Sequence, residues 1–294
     1  MILAFVLAGS VIFSTLLREQ ISLFESADEP AGLPQRVIST SPAITEVLFA
    51  LGAGERVVGV TDYCNYPPEA KNIERIGGTM NPSLEKLMSL EPDLVILGNL
   101  SERDHADYAT VGLPVLVVRE YTMPEIKNMI RSIGDTLGVV STADSIVVSI
   151  ESAMAASEKA VSDSIRKSVM LVIGRTPGAL SDIYVVGSGV FLNDLVEAAG
   201  GRNVFSDLHR PYARVSTEEI LVRRPDVIIE AAHNIELTPE KVGEMRKVWS
   251  PLGMVPAVVN REIHFINDDF LLIPGPRMVL SLKRFQQLIY PVKP

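Results

Sequence analysis

Apolar residues in the first part of the chain follow two different periods. One set recurs at the i, i+3, i+4, i+7 spacing of a single helix face. Its members are Ile44, Val47, Leu48 and Leu51. Ser41 and Pro42 before this set are typical of a helix start, and Gly52 marks its end. The runs at 56–60, 93–98 and 113–118 are apolar throughout, which predicts strands buried on both faces of a parallel sheet.

The middle of the chain, residues 122–167, carries almost no strand signal. MPEIKNMIRSIGDTLG predicts a helix that Gly138 closes, and no Gly or Pro occurs from Ser141 to Ser168. This second segment predicts one long helix with Ser141 as its cap, on the order of 40 Å at 1.5 Å per residue. Its predicted apolar stripe, which Ser157 interrupts, consists of Ile146, Ile150, Met154, Val161 and Ile165.

The alternation of strands and helices then resumes. Strands are predicted at 168–174, 257–260 and 262–267, and helices at 187–201 and 276–290. The predicted fold class is therefore α/β, with two Rossmann-like lobes whose central sheets are parallel and which one long backbone helix joins. The predicted organisation is a signal or anchor segment at 1–30, an N-terminal lobe at 31–120, linking helices at 121–167 and a C-terminal lobe at 168–294.

One unit occurs twice, as SLEKLMSLEPDLVI at 83–96 and as STEEILVRRPDVII at 216–229. A capping serine, a first-turn glutamate, a buried-type apolar position and a Pro-Asp pair keep the same register in both copies. The glutamates are Glu85 and Glu218. This pattern indicates a divergent internal duplication, although a helix followed by Pro-Asp and a strand is also a common junction in α/β proteins.

The N-terminus predicts export. Residues 1–17 carry no charge before Arg18, and the looser ADEPAG follows at 27–32. This is typical of a signal peptide or a short membrane anchor, with a buried helix as the alternative. Ser10 stands where a bacterial lipoprotein would have its lipidated cysteine. We expect a periplasmic or otherwise extracytoplasmic protein, with an uncleaved N-terminal segment as a candidate membrane attachment.

Composition excludes several classes of protein. The 294 residues carry a net charge of −9 and no basic run, which argues against nucleic-acid binding. The one cysteine, Cys64, excludes an internal disulfide and argues against a cluster-binding, nitrogenase-type protein. No phosphate-binding loop, nucleophile elbow or paired-histidine motif occurs, so we predict neither a bound metal nor a cofactor. A non-enzymatic receptor with a cleft between its lobes remains, with an exported enzyme using Cys64 or a histidine cluster as the alternative.

RVISTSPAITEVLFALGAGERVVGVTDYCNYPPEA and GGTMNPSLEKLMSLEPDLVI resemble bacterial periplasmic substrate-binding proteins that have a helical backbone between their lobes. The resemblance covers about residues 35–290. These proteins serve ABC importers of vitamin B12, heme and iron-siderophores, and the quoted segments are most similar to the cobalamin-binding branch. The resemblance implies a receptor that delivers a corrinoid to a permease dimer, with heme or a ferric siderophore as the alternative ligand.

The resemblance also implies roles for individual residues. Glu85 and Glu218 match the exposed glutamates, one per lobe, that dock on permease arginines; the simpler interpretation is that both only stabilise helix starts. The residues matching the ligand cleft are Tyr63, Tyr66, Thr79, Met80, Tyr212, Asp269 and Phe270. Thr79, Met80, Tyr212 and Phe270 stand where cobalamin-binding relatives have tryptophan, and the one tryptophan, Trp249, lies outside these loops. For a siderophore, the cleft cations would be Arg175, Arg210 and Arg214.

Overall fold

A computed structural model of the chain describes residues 32–79, 81–98, 108, 112–162, 164–233 and 235–291. The chain divides into two compact units, Met1–Leu33 and Pro34–Pro294. The predicted export segment lies outside the described residues. Within the described part, no helix is both long enough and apolar enough to cross a membrane.

The second unit contains two sheets and a short hairpin. The strands of the first sheet and the hairpin are β1 (Val37–Ser39), β2 (Val57–Val60), β3 (Glu74–Arg75), β4 (Gly77–Gly78), β5 (Asn81–Pro82), β6 (Leu94–Gly98) and β7 (Val115–Val118). Those of the second sheet are β8 (Lys167–Gly174), β9 (Ile183–Val186), β10 (Gly201–Asn203), β11 (Tyr212–Val215), β12 (Val227–Ala231) and β13 (Ile263–Ile266).

The first sheet has the order β3-β2-β1-β6-β7, and all its strands are parallel. The second has the order β11-β9-β8-β12-β13, with β10 also paired to β8. Strands β8, β12 and β13 are parallel to one another, whereas β9 runs antiparallel to both of its neighbours. The α/β prediction is confirmed, and the second sheet is mixed because of β9, which the sequence reading missed.

The described helices are α1 (Pro42–Ala50), α2 (Leu84–Ser89), α3 (Met123–Thr136), α4 (Val140–Ala160), α5 (Phe191–Ala198), α6 (Thr217–Arg223), α7 (Pro239–Val248), α8 (Pro256–Val259) and α9 (Met278–Ile289). The segment 257–260 is therefore mostly helical, and the predicted strand there is wrong. Pro256 explains this, because its fixed φ suits the first helical position. Ser41 caps α1 as predicted, accepting a hydrogen bond from the Ile44 backbone amide.

The long linking helix α4 is shorter than predicted. It has 21 residues, or about 30 Å, and it begins at Val140 rather than after a Ser141 cap. Its buried positions are Ala143, Val147, Ile150 and Ser157, whereas Ile165 lies beyond the helix and is 91% exposed. Ser157 does not interrupt the contact face, because its hydroxyl donates to the Ala198 carbonyl at the end of α5, 2.9 Å away.

One continuous apolar core contacts both sheets. It joins one face of the first sheet, represented by Val37 and Ile96, to one face of the second, represented by Leu171 and Ile229, through α1, α3, α4, α5 and α9. Two smaller clusters cover the opposite faces, one around Leu87 on the first sheet and one around Trp249 on the second. Because contacts among these helices link the two sheets through one continuous core, large rotations of one sheet against the other would expose apolar surface.

The internal repeat is visible in backbone contacts. Asp93 accepts hydrogen bonds from the backbone amides of Gln35 and Arg36, at 2.7 and 2.8 Å. Asp226 likewise accepts from the Ser168 amide and hydroxyl, at 2.8 and 2.7 Å. Each aspartate thus ties the start of its own strand to the start of the neighbouring one. Ser83 and Ser216 cap α2 and α6 as predicted.

The close contact between α3 and α4 depends on Gly134. A Cβ at this position would overlap the Ala143 methyl group. We expect Gly134→Ala to lower the free energy of unfolding by about 2 kcal/mol, since the two helices would have to separate. Denaturant unfolding of the purified protein measures this.

Gly243 in α7 is the matched control, because a Cβ there meets nothing within 4 Å. Gly243→Ala should raise the free energy of unfolding by about 0.5–1 kcal/mol through helix propensity alone. Equal effects of the two substitutions would mean that the α3–α4 contact does not depend on the small residue.

Candidate functional site

Loops from the carboxyl ends of strands in both sheets meet at Arg277. Its Nε and Nη2 donate to the two carboxylate oxygens of Glu46 on α1, at 3.0 and 2.6 Å. Its Nη1 donates to Asp269, in the loop after β13, at 2.9 Å. The Tyr66 ring stacks on the guanidinium, 3.5 Å from its centroid, and Phe270 lies 5.9 Å away. Three predicted ligand residues, Tyr66, Asp269 and Phe270, therefore gather around a cation that the sequence reading missed.

Most of this junction is removed from water. The Glu46 side chain is 2% exposed and the Arg277 side chain 13%, whereas Asp269 remains 64% exposed. Burial raises the pKa of the Glu46 carboxyl, and the bonds from Arg277 oppose that rise. A buried pair of this kind needs both partners, so Arg277 fixes where Tyr66 and Asp269 can lie.

A groove opens beside the junction, with a volume of about 800 Å³. Its walls include Phe49 on α1, the segment around Gly54, and Tyr66, Pro67 and Arg277. Of the predicted ligand residues that the structure describes, only Tyr66 lines it. The groove thus flanks the predicted ligand cleft rather than coinciding with it.

Tyr63 and Thr79 lie together at another part of the same sheet edge. Tyr63 follows β2 and is 64% exposed. Its ring carbon Cε2 lies 4.0 Å from where a Cβ on Gly78 would stand, so the ring is close to the β4–β5 hairpin that carries Thr79 at its turn. Met80, the remaining predicted ligand residue of this lobe, lies outside the described residues.

Tyr212, at the start of β11, is near a tyrosine that the sequence reading missed. Burial raises the pKa of Tyr212 to about 12, and Tyr121 adds to the shift. The Tyr121 carbonyl accepts a 2.7 Å bond from the Phe191 amide at the start of α5, which joins the end of β7 to the second sheet's helices. Tyr121 lies just after the end of a predicted strand, and this position is the sequence feature that could have identified it. Both rings are partly exposed, at 43% for Tyr121 and 38% for Tyr212.

Glu120, immediately before Tyr121, is a second missed residue. The Ser41 hydroxyl donates to its carboxylate at 3.2 Å, and a Cβ on Gly98 would stand 3.0 Å from the other oxygen. Desolvation raises the pKa of Glu120 to about 7. This carboxyl therefore changes its charge near neutral pH, at the carboxyl edge of the first sheet.

The cations considered for a siderophore are mostly engaged within the protein. Arg175 forms a buried pair with Glu230, with Nε 3.0 Å from Oε1 and both side chains 5% exposed. Trp249 Nε1 donates to the other Glu230 oxygen at 2.8 Å. Arg214 pairs with Asp182 at 3.1 Å, and Arg210 is exposed. Arg175 and Glu230 also line a pocket of about 330 Å³ at the ends of β8 and β12.

The enzyme alternative gains no support from the chemistry of these residues. Cys64 is buried against Thr61, and desolvation raises the pKa of its thiol, which disfavours a thiolate nucleophile. In the described part of the chain, no three His, Cys, Asp or Glu residues converge as a metal site would require.

Both repeated glutamates are exposed. Ser83 caps the Lys86 amide of α2, and Ser216 forms a capping box with Glu219 in α6. Neither Glu85 nor Glu218 occupies the third helical position at which the capping acid stands. The pKa of Glu218 is lowered, mainly by its own backbone amide and the Ser216 hydroxyl. Neither acid is therefore the capping-box residue of its helix, although Glu218 does contact the start of α6. Their docking role stays a prediction.

Comparison with known proteins identifies a family for this chain. The profile of the periplasmic binding protein family matches residues 37–268. A vitamin B12-binding protein of Salmonella typhimurium is 31% identical over 85% of this chain and 88% of its own length. An ABC transporter substrate-binding lipoprotein of Bacillus subtilis is 30% identical over 88% of this chain and 81% of its own. A solved periplasmic heme-binding protein of Roseiflexus has 27% identity and a TM-score of 0.73, covering 87% of this chain and 98% of its own.

The buried pair at the junction predicts a strong dependence between its partners. We expect Arg277→Met to lower the free energy of unfolding by about 3 kcal/mol, because it leaves the Glu46 carboxylate buried without a cation. Adding Glu46→Gln should recover most of this loss. Denaturant unfolding of the parent, the two single variants and the double variant gives a double-mutant cycle. If the losses in free energy of unfolding were additive, the two side chains would not be coupled.

Glu120 predicts a pH dependence of stability. Its folded pKa of about 7 exceeds the ordinary value of 4.5, so the folded state keeps a proton that the unfolded state releases. The contribution of Glu120 to the free energy of unfolding is fully present below pH 4.5 and is lost as the pH rises through 7. At pH 8, Glu120→Gln should therefore be more stable than the parent by about 3 kcal/mol, with little difference at pH 4.5. Urea unfolding at both pH values decides this; a constant difference would contradict it.

Proposed function

Since the chain belongs to the periplasmic binding protein family, we propose that it is an extracytoplasmic receptor that captures a corrinoid between its two sheets and delivers it to an ABC importer. The family consists of transport receptors, so the proposed role is binding and delivery without chemical change of the ligand. The match extends over most of both sheets, from β1 to the loop after β13.

The observation that supports this class of ligand is the set of partly exposed tyrosines on the two sides of the proposed cleft. Tyr63 and Tyr121 lie at the carboxyl edge of the first sheet, and Tyr212 begins β11 in the second. Aromatic faces suit a large, flat ligand whose surface is mostly apolar, and their hydroxyls suit its polar rim. The relatives that are named vitamin B12-binding proteins support cobalamin among such ligands.

Heme is the second candidate, and the similarity to a heme-binding protein favours it. Tyrosine can ligate heme iron as a tyrosinate. Burial raises the pKa of Tyr212 and therefore disfavours that role for it, which leaves the more exposed Tyr63 as the proposed ligand. A ferric siderophore is less favoured, because Arg175 and Arg214 are already paired with carboxylates.

Delivery requires contact with membrane subunits. The exposed Glu85 and Glu218 begin equivalent helices, each at the carboxyl edge of its sheet. The Ser83 amide bonds to the Ile76 carbonyl just after β3, and α6 follows β11 directly. Arginines on two like permease subunits would pair with the two acids.

Calorimetric titration of the purified protein with cyanocobalamin, hemin and a ferric siderophore tests the ligand. We expect saturable one-to-one binding of cyanocobalamin. Tyr212→Ala should weaken it roughly 30-fold, as the loss of about 2 kcal/mol of stacked apolar area requires, and Tyr212→Phe should keep most of the affinity.

Met254→Ala is the control for surface changes, because Met254 is 73% exposed and lies outside the cleft loops. Binding of hemin without cyanocobalamin would retain the receptor role and change the ligand. An absence of binding to all three compounds would remove support for the proposed ligand class.

A further inference from the structure

The two helices that carry Glu85 and Glu218 share a second exposed feature. The repeat places Ser216 133 residues after Ser83, and the same offset relates Met88 to Leu221. Met88 is 49% exposed and Leu221 is 37% exposed. The residue directly before each of them is the buried apolar position of its helix, Leu87 or Ile220. The duplication has thus kept one apolar side chain in the core and one in solvent in both copies.

Each exposed apolar side chain lies beside the acid of its own helix. Residues three apart on a helix are neighbours on one face, so Met88 lies next to Glu85 and Leu221 next to Glu218. A single exposed leucine needs no explanation, because folded proteins expose much apolar area. Core packing does not explain why an aliphatic side chain follows the acid at the same position on both helices, since Met88 and Leu221 are turned to solvent.

We propose that Met88 and Leu221 form the apolar halves of two equivalent docking faces, whose acidic halves are Glu85 and Glu218. The inference rests on the proposed delivery to an importer, and its new content is the apolar contact. Each face would fit a shallow apolar pocket next to a guanidinium group. Two related faces on one chain fit a partner with two like subunits, which is the permease dimer of an importer.

The two faces differ in one respect. Val222, one turn after Glu218, is 81% exposed, and the equivalent residue in the first copy is Ser89. Ser89 uses its hydroxyl to donate to the Lys86 carbonyl at 2.7 Å. The second face therefore offers more apolar area, so we expect it to contribute more to docking than the first.

The test measures binding of the full-length protein to the permease–ATPase complex of the cobalamin importer from the same organism, reconstituted in nanodiscs. We expect Met88→Ser with Leu221→Ser to raise the dissociation constant at least tenfold. Leu221→Ser alone should have a larger effect than Met88→Ser alone. Cyanocobalamin affinity and the melting temperature should not change. The control pair, Met254→Ser with Val259→Ser, removes side chains that are 73% and 63% exposed elsewhere and should leave docking unchanged.

Salt separates the two halves of each face. Raising the ionic strength screens the glutamates, so wild-type docking should weaken, but the fold-loss caused by the serine substitutions should persist. Glu85→Lys with Glu218→Lys tests the proposed function itself, and it should abolish docking. If the charge reversals abolish docking and the serine pair does not weaken it, the apolar inference is wrong and the receptor role stands.

The remaining outcomes are also decisive. If the wild-type protein does not bind the importer, or if the charge reversals have no effect, the proposed delivery to this partner fails together with the inference. If the control pair weakens docking as much as Met88→Ser with Leu221→Ser, the apolar contact is not localised to these faces. A parallel fall in melting temperature would assign Met88 and Leu221 a structural role and overturn the inference.

Discussion

The pairing of Arg277 with Glu46 is the constraint on which the arrangement of the two sheets depends. A carboxylate that is 2% exposed is stable only with a cation bonded to it, and that cation comes from the segment before α9, 231 residues further along the chain. The same guanidinium holds Asp269 and stacks on Tyr66. One residue therefore joins α1, the loop after β13 and the loop after β2, and the shared core connects the same two sheets.

Local sequence signals predicted those parts of the fold that local physics determines. The serine caps of α1, α2 and α6 were readable, because capping depends on residues at most three positions apart. The end of α4 was not, because the sequence from Ser141 to Ser168 contains no helix breaker and only packing shows that Ile165 leaves the core. The strand predicted at 257–260 is wrong for a related reason, because a run of only three apolar residues, Ala257, Val258 and Val259, fits a short helix and a strand equally well.

In the candidate site, too, the sequence predicted individual residues but not the contacts between distant segments. Matching of motifs identified Tyr63, Tyr66, Tyr212, Asp269 and Phe270, but no motif indicates that Asp269 and Tyr66 are already held by Arg277. Such contacts between distant segments appear only when the chain is folded. Glu120 and Tyr121 follow a predicted strand but were not predicted, because the residues that give them their environment, Ser41 and Tyr212, lie far away in the sequence. The architecture follows from the pattern of elements and the family from the resemblance of two segments to known proteins, whereas the ligand depends on a few side chains that differ among relatives.

The shared core also limits how a bound ligand could be signalled to a partner. Rotation of one sheet against the other would separate side chains of α3, α4 and α5 that are fully buried, at a cost that scales with the apolar area exposed. Local changes at the cleft are less costly. Tyr121 is suited to such a change, because its carbonyl is bonded to the start of α5 and its ring is partly exposed near Tyr212. A ligand that stacked on these rings, as we propose, would lie against the segment that connects the two sheets rather than in the shared core.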